Sequence, residues 1–284
     1  MVIVQLKGGL GNQMFQYAAG RCLSLQHQSP LLLDINSYDA QQLRRYDLDC
    51  FNIEAGLSTE ADVRQFDRSF LRKVFDRLLP AHKRKMYREL HFHFDPGFYK
   101  ATPPLYLKGY WQSEQYFKPV EEQIRRDFTF KTPFSAAVEE KAVELRGRES
   151  VAVHFRRGDY KDPEMLRVHG IVGLDYYDAA IMQMQATVPG AKFYIFTDDP
   201  EWVRTNVPWQ VPLEILSGNL THTHLEDLYL MSQCRHQIIA NSSFSWWAAW
   251  LNKNADKQVF TPQKWFGIKE RNTKDLIPAA WKRL

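Results

Sequence analysis

The sequence predicts an α/β chain built as two Rossmann-like domains, each a parallel sheet with helices on both faces. Three observations carry this. Short apolar runs of strand length alternate with helix-length segments in both halves of the chain. Polar, glycine- or arginine-rich motifs follow directly on several of the apolar runs, where a parallel sheet presents its ligand-binding edge. A length of 284 residues, with 44% hydrophobic and 25% charged side chains, suits two domains of ordinary size with real cores.

The first half opens on VIVQL (2–6), a buried-strand run, followed by QMFQYAAGRCLSLQ (13–26). In that segment Met14, Phe15, Ala18, Cys22 and Leu25 recur at helical spacing. PLLLDI (30–35) and PLYLKGYW (104–111) are further strand runs. In the second half the strand runs are SVAVHF (150–155), KFYIFT (192–197), LEIL (213–216), QIIA (237–240) and QVFT (258–261). Helical segments are expected at 175–187, 199–206, 224–235 and 243–252. The domain boundary is expected near 146–150, giving domains 1–148 and 149–284.

Net charge is +4, mildly basic, and by itself no signature of nucleic-acid binding. No run reaches the roughly 18 apolar residues of a membrane span. The opening MVIVQLKGG reads as a strand rather than a signal peptide, and the three separated cysteines, Cys22, Cys50 and Cys234, fit a reducing cytoplasm. Between Phe66 and Leu79 an apolar stripe is accompanied by a cationic run, Arg68 to Arg88, against the single acid Asp76. It reads as an amphipathic helix with a solvated basic face, or as a peripheral contact of 66–88 with an anionic membrane.

Four motifs carry chemistry. KGGLGNQ (7–13) joins the first strand to the first helix. Gly9 and Gly11 let the backbone approach a phosphate, and Asn12 sits in the same turn. With Asp34 at the next strand end the turn resembles a dinucleotide fingerprint, but Met14 stands where the third glycine belongs. HFRRGDY (154–160) ends a strand. Strand alternation puts His154 and Arg156 on one face, where the guanidinium suits a diphosphate. The competing reading is an arginine–Asp159 ion pair. FTDDP (196–200) offers Asp198 to a ribose or base, or caps the next helix with Pro200 at its first position. NSSFS (241–245) supplies Asn241, Ser242 and Ser243, which cap helices and could present a helix N-terminus to an anion. Trp246, Trp247 and Trp250 follow at helical spacing and read as core, with one a candidate platform for a base or sugar. The histidine pairs at 91–93 and 222–224 lack a clear third ligand, and the DLD at 47–49 has no strong strand before it, so no metal site is expected.

Together, GGLGNQMFQYA, HFRRGDY and LMSQCRHQIIANSSFSWWAAWL resemble, in order and spacing, the α-1,2-fucosyltransferases of glycosyltransferase family 11. The resemblance spans essentially the whole chain and is weakest over about 55–100. It implies a GT-B-like fold with an N-terminal acceptor-side domain and a C-terminal GDP-fucose-binding domain. It further implies inverting transfer to a β-galactoside without a required metal or other cofactor. The shared arginine of related fucosyltransferases maps to Arg156. The donor set then comprises Asn12, His154, Arg156, Asp198, Asp227, Asn241, Ser242, Ser243 and Phe244, with Gly9 and Gly11 also on phosphate. Asp159 and Glu164 are both candidates for the base; Glu164 falls ten residues after His154, as does the base glutamate of the α-1,6-fucosyltransferases. A fucosyltransferase of another linkage, a dinucleotide-dependent oxidoreductase and a carbohydrate-binding module are the rival readings; GDP binding disfavours the last two.

Overall fold

The structure, a computed structural model, describes residues 1–38, 44–66, 78–157, 167, 170–209, 211–267 and 271–284. The chain forms two compact units, 1–132 with 272–277, and 133–271 with 278–284. The division therefore falls earlier than the expected 148/149. The physical reason is the helix Ala136–Arg146, which packs against the helix His224–Gln233 of the second unit. Its Lys141 pairs with Glu214 at 3.0 Å, also in the second unit. The segment 272–277 returns to the first unit, where Asp275 accepts the Phe94 N–H at 3.1 Å.

The first unit holds a five-stranded sheet of β1 (Val2–Gln5), β2 (Leu31–Asp34), β3 (Gly56–Leu57), β4 (Met86–Arg88) and β5 (Leu105–Lys108). Its order is β3-β2-β1-β5-β4 and every pairing is parallel. β3 and β4 escape sequence reading because neither sits in an apolar run: both residues of β3 are exposed, and of β4 only Tyr87 is buried. The helix Leu10–Gln26 lies so close on β1 that a Cβ on Gly20 would come within 2.2 Å of Val4 Cγ2. Glycine is therefore required for that approach.

Polar side chains of this helix are buried as well. Gln16 accepts the Lys7 N–H at 3.0 Å and donates to the Gly109 carbonyl at 3.1 Å, tying the ends of β1 and β5 together. Gln13 donates to Gly8 O and Arg45 O and accepts the Asp47 N–H. Tyr17 donates to Asp127 at 2.6 Å, and Asp127 also pairs with Arg21 at 3.1 Å. The GNQMFQYA stretch is thus largely a device for satisfying buried loop backbone.

The second unit holds a six-stranded sheet of β6 (Ser150–Phe155), β7 (Lys192–Thr197), β8 (Leu213–Ile215), β9 (His236–Ile238), β10 (Val259–Thr261) and β11 (Lys282–Arg283). Its order is β11-β10-β9-β6-β7-β8, again wholly parallel. The helix Leu174–Thr187 brings Tyr177, Ile181 and Met184 onto Val151, Val153, Phe193 and Ile195 of the sheet. Trp246, Trp247 and Trp250 are at most 3% exposed. They are core, and none offers an open face as a platform.

Residues 67–77 lie outside the described residues, so the amphipathic reading of 66–79 is not addressed by the structure. Among the described residues no helix is long and apolar enough to cross a membrane.

Candidate functional site

In the second sheet the chain starts at β6 in the middle, runs outward through β7 and β8, then returns to β9 on the other side of β6. Between β6 and β9 the strand order reverses. In open parallel sheets the loops leaving two such strands diverge, leaving a crevice at their C-terminal ends. Two of the three motifs singled out in this half, HFRRGDY from His154 and NSSFS from Asn241, leave these two strands.

The crevice is rigidly framed. Tyr177 donates to the His154 carbonyl at 3.0 Å and Tyr176 to the Ile239 carbonyl at 2.8 Å, so one helix satisfies both strand ends. Ser242 caps the helix Ser243–Leu251, accepting the Phe244 N–H at 3.3 Å. Asn241 donates to the Trp265 carbonyl at 3.2 Å. The N-terminus of that helix, with its partial positive charge, opens beside the end of β9.

His154 is 5% exposed and its ring centroid lies 5.7 Å from that of Phe244. Among the described residues nothing hydrogen-bonds its Nδ1. Burial pushes its pKa down to about 4; Asp198 works in the opposite direction and Arg156 with burial. Near neutral pH the ring is uncharged, so Nδ1 is a buried polar atom suited to a ligand.

Arg156 and Arg157 diverge as strand alternation requires. Nη1 of Arg156 lies 2.8 Å from Asp198 Oδ2, while Asp198 Oδ1 accepts the Arg157 N–H at 2.7 Å. The guanidinium of Arg157 turns to the Phe155 side and stacks 3.6 Å from the Trp202 ring centroid. Asp199 caps the helix Pro200–Asn206, accepting the Trp202 N–H at 3.1 Å. The two acids of FTDDP therefore divide both readings of the motif: Asp198 faces the site but holds the arginines, and Asp199 is the cap.

Asp227 closes the far side of this network. Its oxygens accept hydroxyls from Thr221 and, at 2.9 Å, from Ser217, which itself accepts the Thr197 N–H at 2.9 Å. Burial pushes Asp227 up to about 6, against the two hydroxyls, which pull it down. Ser217 and Thr221 were not legible as site residues. The one available signal was T-x-x-E at 223–226, a capping box that fixes the start of the helix carrying Asp227.

Gly9, Gly11 and Asn12 belong to the first unit. Gly8 takes φ +81°, and Gly9 caps the helix with no side-chain bond. Asn12 Oδ1 accepts from Gln112 at 2.6 Å. The structure thus gathers His154, Arg156, Asp198, Asp227, Asn241, Ser242, Ser243 and Phe244 in one unit, and Gly9, Gly11 and Asn12 in the other. Asp159 and Glu164 lie outside the described residues. His91 and His93 stack with centroids 4.8 Å apart, and among the described residues no group of three or more His, Cys, Asp or Glu is arranged to hold a metal ion.

The family model described as Glycosyl transferase family 11 matches residues 1–274. The chain is 34% identical to the alpha-1,2-colitosyltransferase of Escherichia coli, over 100% of this chain and 99% of that protein. It is 30% identical to the Escherichia coli O-antigen biosynthesis glycosyltransferase WbnK, over 97% and 98%. The human galactoside alpha-(1,2)-fucosyltransferase 1 is also 30% identical, over 52% of this chain and 43% of its own length. Among solved structures, an Arabidopsis thaliana FUT1 variant in complex with GDP superposes with a TM-score of 0.52 at 14% identity, over 93% of this chain and 71% of that one. That likeness is one of fold, and the fold is GT-B-like.

Proposed function

The chain belongs to glycosyl transferase family 11, and on that premise we propose that it moves L-fucose from GDP-β-L-fucose to the 2-hydroxyl of a terminal β-galactoside, with inversion. The observation that carries this is the switch-point crevice of the second unit. A partly exposed guanidinium and a buried imidazole at the end of β6, and a helix N-terminus beyond the end of the adjacent β9, are the equipment for a departing nucleoside diphosphate. The full-length similarity to an α-1,2-colitosyltransferase and the partial one to α-1,2-fucosyltransferases support the linkage.

In this reading the second unit is the donor side and the first the acceptor side. The acceptor oxygen attacks the anomeric carbon of fucose as the bond to the β-phosphate oxygen breaks. GDP carries away the electron pair, and Arg156 and the helix N-terminus take up the growing negative charge. The acceptor proton passes to a carboxylate, with Asp159 and Glu164 the candidates. Asp227 accepts a hydrogen bond from the ribose or base. Cationic protein groups take the place of a divalent metal, and no cofactor is required.

A second donor is favoured by one observation, the 34% identity to a colitosyltransferase along the entire chain. Colitose is L-fucose without its 3-hydroxyl, so both sugars present the same anomeric chemistry. Incubation with lactose and EDTA, offering GDP-fucose and GDP-colitose in competition, tests both readings. A product with an α-1,2 linkage by NMR is expected, and the ratio of the two products names the donor. No transfer from either sugar nucleotide, with or without added magnesium or manganese, would refute the proposal.

A further inference from the structure

The loops that leave β6 and β10 meet at a pair of glycines outside the groups described above. In the sheet β9 lies between these two strands. All three run parallel, so their exits share the C-terminal edge, where such sheets bind ligands, with residues 239–242 in the middle. Strands two places apart are separated by roughly 9–10 Å. The two outer loops nonetheless touch backbone to backbone. A Cβ added to Gly267 would stand 2.6 Å from the Arg167 carbonyl oxygen, 3.2 Å from the Gly170 nitrogen and 3.3 Å from the Gly170 Cα. A Cβ on Gly170 would in turn meet the Gly267 Cα and nitrogen at 3.3 Å. Gly170 also takes φ +71°, a conformation that other residues adopt only under strain.

Each arm of this contact is fastened to the exit of β9. Shortly before Gly267, the Trp265 carbonyl accepts the Asn241 side-chain N–H at 3.2 Å. On the other arm Tyr176, in the first turn of the helix Leu174–Thr187, donates to the Ile239 carbonyl at 2.8 Å. The contact therefore bridges the strands on either side of β9, and both arms share β9 as a footing.

The consequence falls on the connection 156–173, which is long beside the roughly 2–6 residues usual between a strand and a helix. It starts where Asp198 accepts the Arg157 N–H at 2.7 Å, and near its end Gly170 sits on Gly267. The sequence between these two fixed points carries Asp159 and Glu164, the candidates for taking the acceptor proton. Fixing both ends of a loop removes conformations that would otherwise be searched before each transfer. The fastening is steric: the backbones approach this closely because neither position carries a Cβ.

We propose that Gly170 and Gly267 form a backbone latch that positions the connection after Arg157 for the transfer step. Both are positioning residues, acting through the connection they hold. The inference rests on the transferase reading above. Asp198 holds Arg156 directly, so opening the latch should slow transfer and spare the grip on the nucleotide.

The test compares Gly267→Ala and Gly170→Ala with Gly190→Ala as the control. Gly190 has φ +78° and nothing within 4 Å of an added Cβ, and it precedes β7 at the opposite edge of the sheet. Gly190→Ala thus carries the backbone strain of Gly170→Ala without its collision, and Gly267→Ala carries the collision without a positive φ. With GDP-fucose and lactose, kcat should fall about tenfold or more in both latch variants, while the Kd for GDP stays within about threefold of wild type. The control should keep kcat within about twofold, whatever its Tm. Where one latch variant does not fold, the other decides. A kcat within about twofold of wild type in a folded latch variant, or a Kd for GDP that worsens as much as kcat, overturns the latch. So does an equal loss of kcat in Gly190→Ala, which would make the effect one of stability.

Amide hydrogen exchange separates the latch from the transferase reading, because it needs no substrate. Exchange across 158–173 should quicken about tenfold or more in both latch variants and not in the control. With that result, a wild-type protein that transfers from neither GDP-fucose nor GDP-colitose defeats the transfer reading and leaves the latch as the fastening of this connection. Transfer by the wild type, with kcat and exchange unchanged in the variants, does the reverse.

Discussion

Asp198 holds two consecutive arginines by different means: its Oδ2 lies 2.8 Å from the Arg156 guanidinium, and its Oδ1 accepts the Arg157 backbone N–H at 2.7 Å. One carboxylate from the end of β7 thus aims the charged side chain leaving β6. Arg156 is the group proposed to meet the diphosphate, so Asp198 acts as its positioning residue.

Substitutions at this pair separate aim from charge. Arg156→Ala should lower kcat with GDP-fucose about a hundredfold or more, and Arg156→Lys should recover little, because a point charge does not reproduce a planar fork. Asp198→Asn keeps an oxygen for the Arg157 N–H but presents an amide N–H₂ to Arg156. It should melt close to wild type while kcat falls about tenfold to a hundredfold. Steady-state kinetics and melting curves on the three variants check this. Near wild-type turnover of Arg156→Ala would remove the diphosphate clamp from the mechanism.

Arg157 should behave differently. Its guanidinium covers Trp202 and lies 3.8 Å from the Asp199 cap, so its role is to hold the helix Pro200–Asn206 against the sheet. Arg157→Ala should cost about 1–2 kcal/mol, or a few degrees in Tm, more than Arg156→Ala costs. Calorimetry of both variants decides it; equal melting temperatures would contradict the assignment.

The pH dependence of stability contains two opposed contributions. His154 is held neutral, its pKa pushed down to about 4 from 6.5. Between those values the unfolded chain binds a proton that the folded one refuses, so this contribution to stability falls as pH drops through the window. Asp227 is pushed up to about 6 from 3.8, and the folded chain keeps its proton longer, so its contribution falls as pH rises through that window. Relative to wild type, the Tm of His154→Asn should therefore rise as pH is lowered from about 7 to about 4.5. That of Asp227→Asn should fall over the same range. Differential scanning calorimetry at matched ionic strength reads both slopes, and parallel shifts in the two variants would overturn the signs.

Gly20→Ala is expected to damage the first unit. The added methyl would meet Val4 Cγ2 at 2.2 Å and Leu31 Cδ1 at 3.0 Å, both from the sheet beneath the helix. A destabilisation of about 1–3 kcal/mol follows from forced displacement of packed groups. Denaturant unfolding should show a lower midpoint, and an unchanged one would mean that the helix can lift from the sheet at no cost.

Local periodicity and motif chemistry were enough to read the two-sheet architecture and the motif positions at the ends of β1, β6 and β9. Apolar runs four to six residues long and the helices between them leave strong patterns, and the arginine pair and NSSFS stand at strand ends whatever the packing. β3, β4 and β11 were not legible, since Gly56–Leu57, Met86–Arg88 and Lys282–Arg283 sit in no apolar run of strand length, whereas the equally short β8, β9 and β10 lie in LEIL, QIIA and QVFT. The domain boundary was misplaced because a helix shows its own amphipathic period but not which sheet it covers. Burial of all three tryptophans excludes a sugar platform, a matter of which faces meet. Tertiary structure alone decided that Asp198 clamps both arginines, that Ser217 and Thr221 hold Asp227, and that Gly170 meets Gly267. Each of these joins residues from different strands or loops, and strand order and register, set by long-range pairing, determine which side chains become neighbours.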